Sequence, residues 1–191
     1  MTIAIIGTGN VGSALAKGLK ESGQEVVSVG KDPAEVRRAS EEAHTIVLAV
    51  PFGAVQDVVK TAGSAWAGKT VIDVTNALTE DMQLALGYTT SGAEELQKVV
   101  PQAHVVKAFN GIFAQHMSTG QLNGQQLTTF VAADDEDAKQ QALELAKGIG
   151  FDAVDAGPLQ NARLLEPLGY FNIQLGYVIG MGPDIGFHLR H

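Results

Sequence analysis

The run Ile3-Ala4-Ile5-Ile6-Gly7-Thr8-Gly9-Asn10-Val11-Gly12 stands just inside the start of the chain and leads into a helix-like stretch, Val11 to Glu21. A buried strand, a GxGxxG loop and a helix in that order are what a dinucleotide site requires. Gly7 permits the tight strand-to-helix turn, Gly9 leaves room for a pyrophosphate against the backbone, and Gly12 lets the helix lie close on the sheet. The phosphates then meet unpaired N–H groups and the positive end of the helix dipole. Glycine loops also serve as plain turns; the strand-loop-helix setting favours the nucleotide here.

Outward from this loop, apolar β-rich runs alternate with helical patterns, which is the α/β signature. Strands are expected near 2–6, 25–29, 45–50, 70–74 and 104–108. The continuous apolarity of Thr45-Ile46-Val47-Leu48-Ala49-Val50 suits a parallel strand covered on both faces. Helices fit Val11 to Glu21, stopped by Gly23, then Pro33 to Glu42, Ala54 to Ala62 and Ala93 to Lys98. The expected fold is a Rossmann-like, doubly wound, mostly parallel sheet. Its short crossover from the second strand to the third implies one strand fewer than a full-length Rossmann half. Past residue 120, Leu127 to Ala133 and Phe151 to Asp155 read as strands around a helix from Asp134 to Lys147. From Leu159 a helical stretch precedes a glycine-rich end, where Gly180-Met181-Gly182-Pro183 must break the helix. The domain division expected is 1–120, an NAD(P)-binding Rossmann domain, and 121–191, a small C-terminal α/β segment packing on it.

Composition narrows the function. The 191 residues make one domain, or one large domain with an appendage. Thirteen Lys and Arg against 21 Asp and Glu give a net charge of −8, which disfavours a nucleic-acid or acidic-membrane partner. A phosphate site must therefore be local, built from backbone amides and a few placed cations. Without cysteine there is no disulfide, thiolate nucleophile or Cys-ligated metal. The five histidines form no HxxxH pair, although His188 and His191 are neighbours, and no metal site is expected. No secretory leader pattern and no apolar run of about 20 residues is apparent, so a cytoplasmic location without a membrane span is expected.

The end of the second strand selects the dinucleotide. Counting about twenty residues past Gly12 lands on Asp32, where an acid would bind the ribose diol of NAD. The strand finishes earlier, at Val29, and Gly30 and Lys31 follow. A small residue and then a cation suit NADP, with Asp32 as the N-cap of the next helix and Pro33 in its first turn. NADP is therefore expected over NAD, with a solvated loop lysine as the competing reading of Lys31. Val50-Pro51-Phe52-Gly53-Ala54-Val55 follows the third strand, where carboxyl-end loops meet the cofactor. Asn76 and Asn110 end the fourth and fifth strands, either facing the ligand or serving as turn asparagines. Arg163 and Glu166, three apart, read as an intrahelical ion pair first and a functional pair second.

Gly-Thr-Gly-Asn-Val-Gly at 7–12, Ala-Val-Pro-Phe at 49–52, Val-Val-Lys-Ala-Phe-Asn at 105–110 and Asp-Ala-Gly-Pro-Leu-Gln-Asn-Ala-Arg-Leu-Leu-Glu at 155–166 together resemble one family. It is the coenzyme F-420-dependent NADP oxidoreductases, which share this domain with the cytosolic part of six-transmembrane metalloreductases. The resemblance implies that Thr8, Gly9, Asn10 and Val11 hold pyrophosphate and ribose, and that Gly30 with Lys31 faces the 2′-phosphate. Pro51, Phe52 and Val55 match the loop along the cofactor, and Ala114 matches a position whose backbone approaches the nicotinamide. Two departures stand out. Gly30-Lys31 replaces the family's usual Ser-Arg, losing a hydroxyl and the planar guanidinium fork, and Asn110 stands where the archaeal deazaflavin enzymes tend to have histidine.

Hydride transfer between a nicotinamide and a flavin-like ring needs two stacked, oriented rings and little acid–base help. A hydroxy-acid dehydrogenase would want a positioned His, Lys or Tyr, and only Lys107 lies near the presumed edge, inside a strand. The expected catalytic surface is therefore positional: Asn76 against the nicotinamide, and Asn110, Ile112 and Phe113 as a mostly apolar shelf for a deazaflavin or flavin acceptor. A groove closed by the C-terminal helix and a second subunit is expected, making the protein a homodimer. The alternatives are an NADP(H)-binding sensor without turnover and a Lys-assisted dehydrogenase of a small hydroxy acid.

Overall fold

The computed structural model describes residues 1–190. Five parallel strands, β1 (Thr2–Ile6), β2 (Glu25–Val29), β3 (Thr45–Leu48), β4 (Thr70–Asp73) and β5 (His104–Lys107), are linked by α1 (Asn10–Glu21), α2 (Pro33–Glu42), α3 (Val55–Ala62) and α4 (Gly92–Val99). A short hairpin, β6 (Gln121–Leu122) and β7 (Gln125–Gln126), precedes β8 (Thr128–Ala133), α5 (Glu136–Ile149) and β9 (Asp152–Asp155). The last helix, α6 (Ala162–Ile173), ends in a wider π turn, Gln174–Val178, and no regular element follows among the described residues.

The sheet order is β2-β1-β3-β4-β5-β8-β9. The sheet stops at β2, as the short β2-to-β3 crossover implies, and β8 joins β5 antiparallel, pairing Val106 with Ala133 and Lys107 with Ala132. Residues beyond 120 thus continue the same sheet. Alternate side chains of each central strand feed two cores. Ile3, Ile5, Val47, Ile72 and Val106 pack under α1 and α5, while Ala4, Ile6, Ile46, Leu48, Val71 and Val105 pack under α2, α3 and α4. Burial on both faces explains why these strands read as unbroken apolar runs.

Local chemistry sets the helix ends. The Asp32 carboxylate accepts from the N–H groups of Ala34 and Glu35, with Pro33 in the first turn. Asp135 caps α5 through the Ala138 N–H. At α6 the usual order is inverted. Pro167 inside the helix has no N–H to give the Arg163 carbonyl, and the helix is fixed by side chains reaching other elements.

Candidate functional site

The carboxyl ends of β1, β3, β4 and β5 form one edge of the sheet, and the strand order reverses between β1 and β3, the switch point at which open α/β sheets take their ligands. At its centre Gly7 has φ +115°, and a Cβ on it would lie 2.1 Å from the Ala49 carbonyl oxygen. A Cβ on Gly12 would lie 2.0 Å from the Gly7 oxygen. Gly9 differs from both. It has ordinary backbone angles, φ −72° and ψ −174°, and nothing lies within 4 Å of where its Cβ would stand. Two of the three glycines are therefore required by the fold, and the third keeps a space open at the start of α1. Thr8, Gly9 and Asn10 are exposed, and Val11 is half-buried behind them.

Gly30 lies beside Thr8, whose hydroxyl is 3.8 Å from the site of a Gly30 Cβ, and Lys31 is exposed next to it. Because the Asp32 carboxylate is engaged by the α2 backbone, the one acid in this loop is directed to the helix it caps. On the other side of Gly7, Val50 is half-buried and Pro51 exposed. Phe52 is half-buried against α4, with its ring edge 3.0 Å from a Cβ built on Gly92. Val55 belongs to the core with Leu48 and Val71. Val55 therefore anchors the start of α3 beneath the loop.

Asn76 and Asn110 do meet. The Asn76 side-chain amide donates to the Asn110 carbonyl at 3.1 Å, and the Asn110 amide donates to the Leu165 carbonyl of α6 at 2.6 Å. Gly169, one turn further along α6, rests on the pair: a Cβ there would lie 2.6–2.7 Å from three of their polar atoms. A glycine inside a helix costs roughly 0.5–1 kcal/mol against alanine, and here it is the residue that lets the helix approach. Asn110 is held at this angle partly by Phe109, which takes the left-handed conformation at φ +63°. The Phe109 ring packs edge-on against Phe151 at 5.6 Å, and its N–H reaches the Thr129 hydroxyl at 3.3 Å.

Asn110, Ile112 and Phe113, expected as an acceptor shelf in a groove closed by the C-terminal helix, are covered; each is only 8% exposed. Ile112 packs into the α1/α5 core. Phe113 lies under the π turn, edge-on to Tyr177 at 5.3 Å and close to Gly176. The physical reason is the apolar C-terminal segment, which folds back over the residues following β5. Ala114 stays half-buried beside it. What remains open near Asn76 is flanked by the connection from β4 to α4, where Leu78 bridges Leu84 and Gln83 accepts from the Tyr170 hydroxyl of α6 at 3.1 Å.

Lys107 is wholly buried and fully engaged. Its ammonium bonds Asp73 Oδ2 at 2.9 Å, the Thr75 carbonyl at 2.5 Å and Glu166 Oε1 at 3.0 Å. Burial pushes the Lys107 ammonium down, but the Asp73 and Glu166 carboxylates outweigh it and hold the group above the usual lysine range. Glu166 also accepts from the N–H groups of Gly92 and Ala93 through its two oxygens, so the same carboxylate that pairs Lys107 lies at the positive end of α4. The expected Arg163–Glu166 ion pair is thus replaced by two longer reaches. Arg163 grips Glu94 with two nitrogens, at 2.7–3.1 Å, because both side chains point from α6 toward the first turn of α4. Glu94 and Gly169, like the Asn123-Gly124 turn of the β6–β7 hairpin, were not singled out from sequence. The hairpin had a usable signal, since Asn-Gly favours two residues at positive φ, here 52° and 77°.

Among the described residues no group of three or more His, Cys, Asp or Glu side chains is arranged to hold a metal ion. His191, read beside His188, lies outside the described residues. Nor is any helix among them long and apolar enough to cross a membrane.

Comparison with known proteins agrees with this geometry. Residues 2–77 match the family model for coenzyme F-420-dependent NADP oxidoreductases. Metalloreductase STEAP3 of Rattus norvegicus is 28% identical over 178 residues, which is 87% of this chain and 36% of its own length. Metalloreductase STEAP2 of Homo sapiens is 32% identical over 114 residues, 59% of this chain and 22% of its own length. The chain therefore spans about a third or less of these curated relatives. A crystal structure of a candidate F-420-dependent NADP reductase from Arthrobacter sp. FB24 superposes with a TM-score of 0.90 at 25% identity, covering 99% of both chains. Over residues 2–77 this chain is thus similar in sequence to the coenzyme F-420-dependent NADP oxidoreductases, and over nearly its whole length it shares the fold of the Arthrobacter protein.

Proposed function

We propose that the protein carries hydride between NADP(H) and a planar deazaflavin or flavin acceptor. The observation that carries this reading is the engagement of Lys107, whose three N–H bonds all go to protein oxygens. It has none left to move a proton on a substrate, which argues against the lysine-assisted dehydrogenase. His116, two residues past Ala114, is also engaged, by the Pro183 carbonyl at 3.2 Å and Asp184 at 3.5 Å. An edge of amides and apolar groups suits a reaction that needs alignment rather than acid–base chemistry. The site residues proposed for the nucleotide are Gly7 to Gly12, Gly30, Lys31, Val50 to Phe52, Val55, Asn76 and Ala114. The acceptor would approach beside Asn76, with Asn110 acting from beneath. NADP rather than NAD is favoured by the family match and by the Asp32 carboxylate being spent on its own helix.

The test is oxidation of NADPH, followed by absorbance without oxygen, against FMN, FAD, riboflavin and coenzyme F-420. Ferric citrate belongs in the panel because the curated relatives are metalloreductases. Tight NADPH binding with no oxidation by any acceptor would favour the sensor; turnover with a small hydroxy acid would favour the dehydrogenase.

We also propose a homodimer through α6. Leu164, Phe171 and Val178 are exposed, with Leu168 and Leu175 half-buried between them. Leu164, Leu168 and Phe171, at i, i+4 and i+7, make one apolar stripe on α6, and Leu175 and Val178 follow in the π turn. Light scattering on the wild type and Phe171→Asp would show a dimer and a monomer respectively; a monomeric wild type refutes it.

A further inference from the structure

The Lys107 cluster joins four elements at one point. Asp73 and Thr75 belong to the end of β4, Lys107 to β5, Glu166 to α6, and Gly92 and Ala93 to the first turn of α4. Asp73 Oδ1 also accepts the Thr75 N–H at 2.9 Å, closing a turn whose next residue is Asn76. On α6, Leu165 takes the Asn110 amide and its neighbour Glu166 takes the Lys107 ammonium. Both asparagines are therefore tied to the cluster by one covalent step, Asn76 through Thr75 and Asn110 through Leu165. All buried side-chain polar atoms here have partners, and a satisfied buried ion network of this kind fixes one arrangement of the pieces it joins.

We propose that Lys107 and Glu166 are positioning residues for hydride transfer: the ion pair clamps the ends of β4 and α6 at one spacing and so keeps the Asn76–Asn110 amides aligned under the reacting rings. Neither residue touches cofactor or acceptor. The inference rests on the hydride-transfer reading above and assigns to that site a support which motif matching does not reveal. Loosening the clamp leaves the glycine loop at α1 intact, so NADPH binding and ring alignment separate.

The experiment compares wild type, Lys107→Met, Glu166→Gln and, as a core control from the opposite face, Leu145→Ala. Each is measured for NADPH affinity by fluorescence titration, for melting temperature, and for kcat and KM with the best acceptor of the panel. Expected for Lys107→Met is an NADPH affinity within about threefold of wild type and a kcat lowered at least tenfold, since misplacement by about an ångström can cost up to a hundredfold. Glu166→Gln, which keeps the shape, lowers kcat less and stands in if Lys107→Met does not fold. The primary isotope effect with deuterated NADPH rises in both as hydride transfer becomes rate-limiting. Leu145→Ala loses melting temperature and keeps kcat. An unimpaired kcat in folded Lys107→Met, or a kcat loss in Leu145→Ala equal to it at equal melting temperature, overturns the proposal while wild-type turnover stands. A wild type that binds NADPH and reduces no acceptor overturns the hydride-transfer reading, and this proposal with it.

Discussion

Replacing Gly9 by valine separates function from fold at the glycine loop. Gly9 is the N-cap of α1, with a backbone conformation any residue can adopt and no atom within 4 Å of its Cβ position. Valine there gives up only the modest advantage of glycine over apolar residues at an N-cap, below about 1 kcal/mol. At roughly 2–4 °C per kcal/mol for a chain of this size, the melting temperature should fall by a few degrees at most. Binding should respond far more. Charge-assisted hydrogen bonds are worth about 1.5–3 kcal/mol each, and a side chain at Gly9 would hold the pyrophosphate away from the first N–H groups of α1. Losing one such bond weakens NADPH about tenfold to 150-fold, and losing two puts it beyond ordinary titration. The matched variant Gly12→Val should behave in the opposite way, because its Cβ would stand 2.0 Å from the Gly7 oxygen and the helix must shift. Thermal melting and calorimetric NADPH titration of both proteins decide the matter. A folded Gly9→Val protein with wild-type affinity would refute the nucleotide reading of the loop.

Lys31→Ala should weaken NADPH by about 1–3 kcal/mol and leave NADH nearly unchanged; equal losses for the two cofactors would remove Lys31 from the 2′-phosphate. Asn110→Ala should lower acceptor turnover several-fold with NADPH affinity within about twofold, and unchanged turnover would show that the amide does not orient the rings. Arg163→Ala should lower the melting temperature at neutral pH, because the hydrogen bonds from Arg163 hold the Glu94 carboxyl below the usual carboxylate range. A depressed carboxyl pKa contributes stability that is present above its ordinary value of 4.5 and lost as pH falls through the lowered one. The gap between wild type and Arg163→Ala should therefore narrow on acidification below about that value, and a gap independent of pH would contradict the pairing.

The parallel half of the fold was legible because its signals are local. The apolar run of β1 and the valine-rich run of β2 gave both strands to the residue, and Asp32-Pro33 gave the start of α2. The β3, β4 and β5 ends were read one or two residues long, since apolarity continues into Ala49, Val74 and Ala108 after strand pairing stops. The glycine loop was legible for the same local reason. The acceptor side was not, because what decides it is distant in sequence. Nothing near Asn110 announces that Gly169 will rest on it, or that Tyr177 will cover Phe113. Arg163 and Glu166 were read by helical spacing, which cannot know that α4 presents Glu94 to one and two free N–H groups to the other. Phe109 at positive φ carries no composition signal either, being a bulky residue where glycine or asparagine would ordinarily be expected.

The capping of α4 by Glu166 also bears on how the chain reaches its native state. Gly92 and Glu166 are 74 residues apart, so during synthesis the first turn of α4 and the ammonium of Lys107 must wait for α6 to emerge before they are satisfied. A polypeptide cut at residue 120 would leave that ammonium with half its carboxylates and would also lack the strand that borders β5. Such a fragment should remain loosely packed, with native-like helix content, bound hydrophobic dye and a broad melting transition. Residues 1–120 would then be a sequence unit without being a folding unit, and a fusion, circular permutation or fragment library of this protein would have to carry α6 to obtain a cooperative fold.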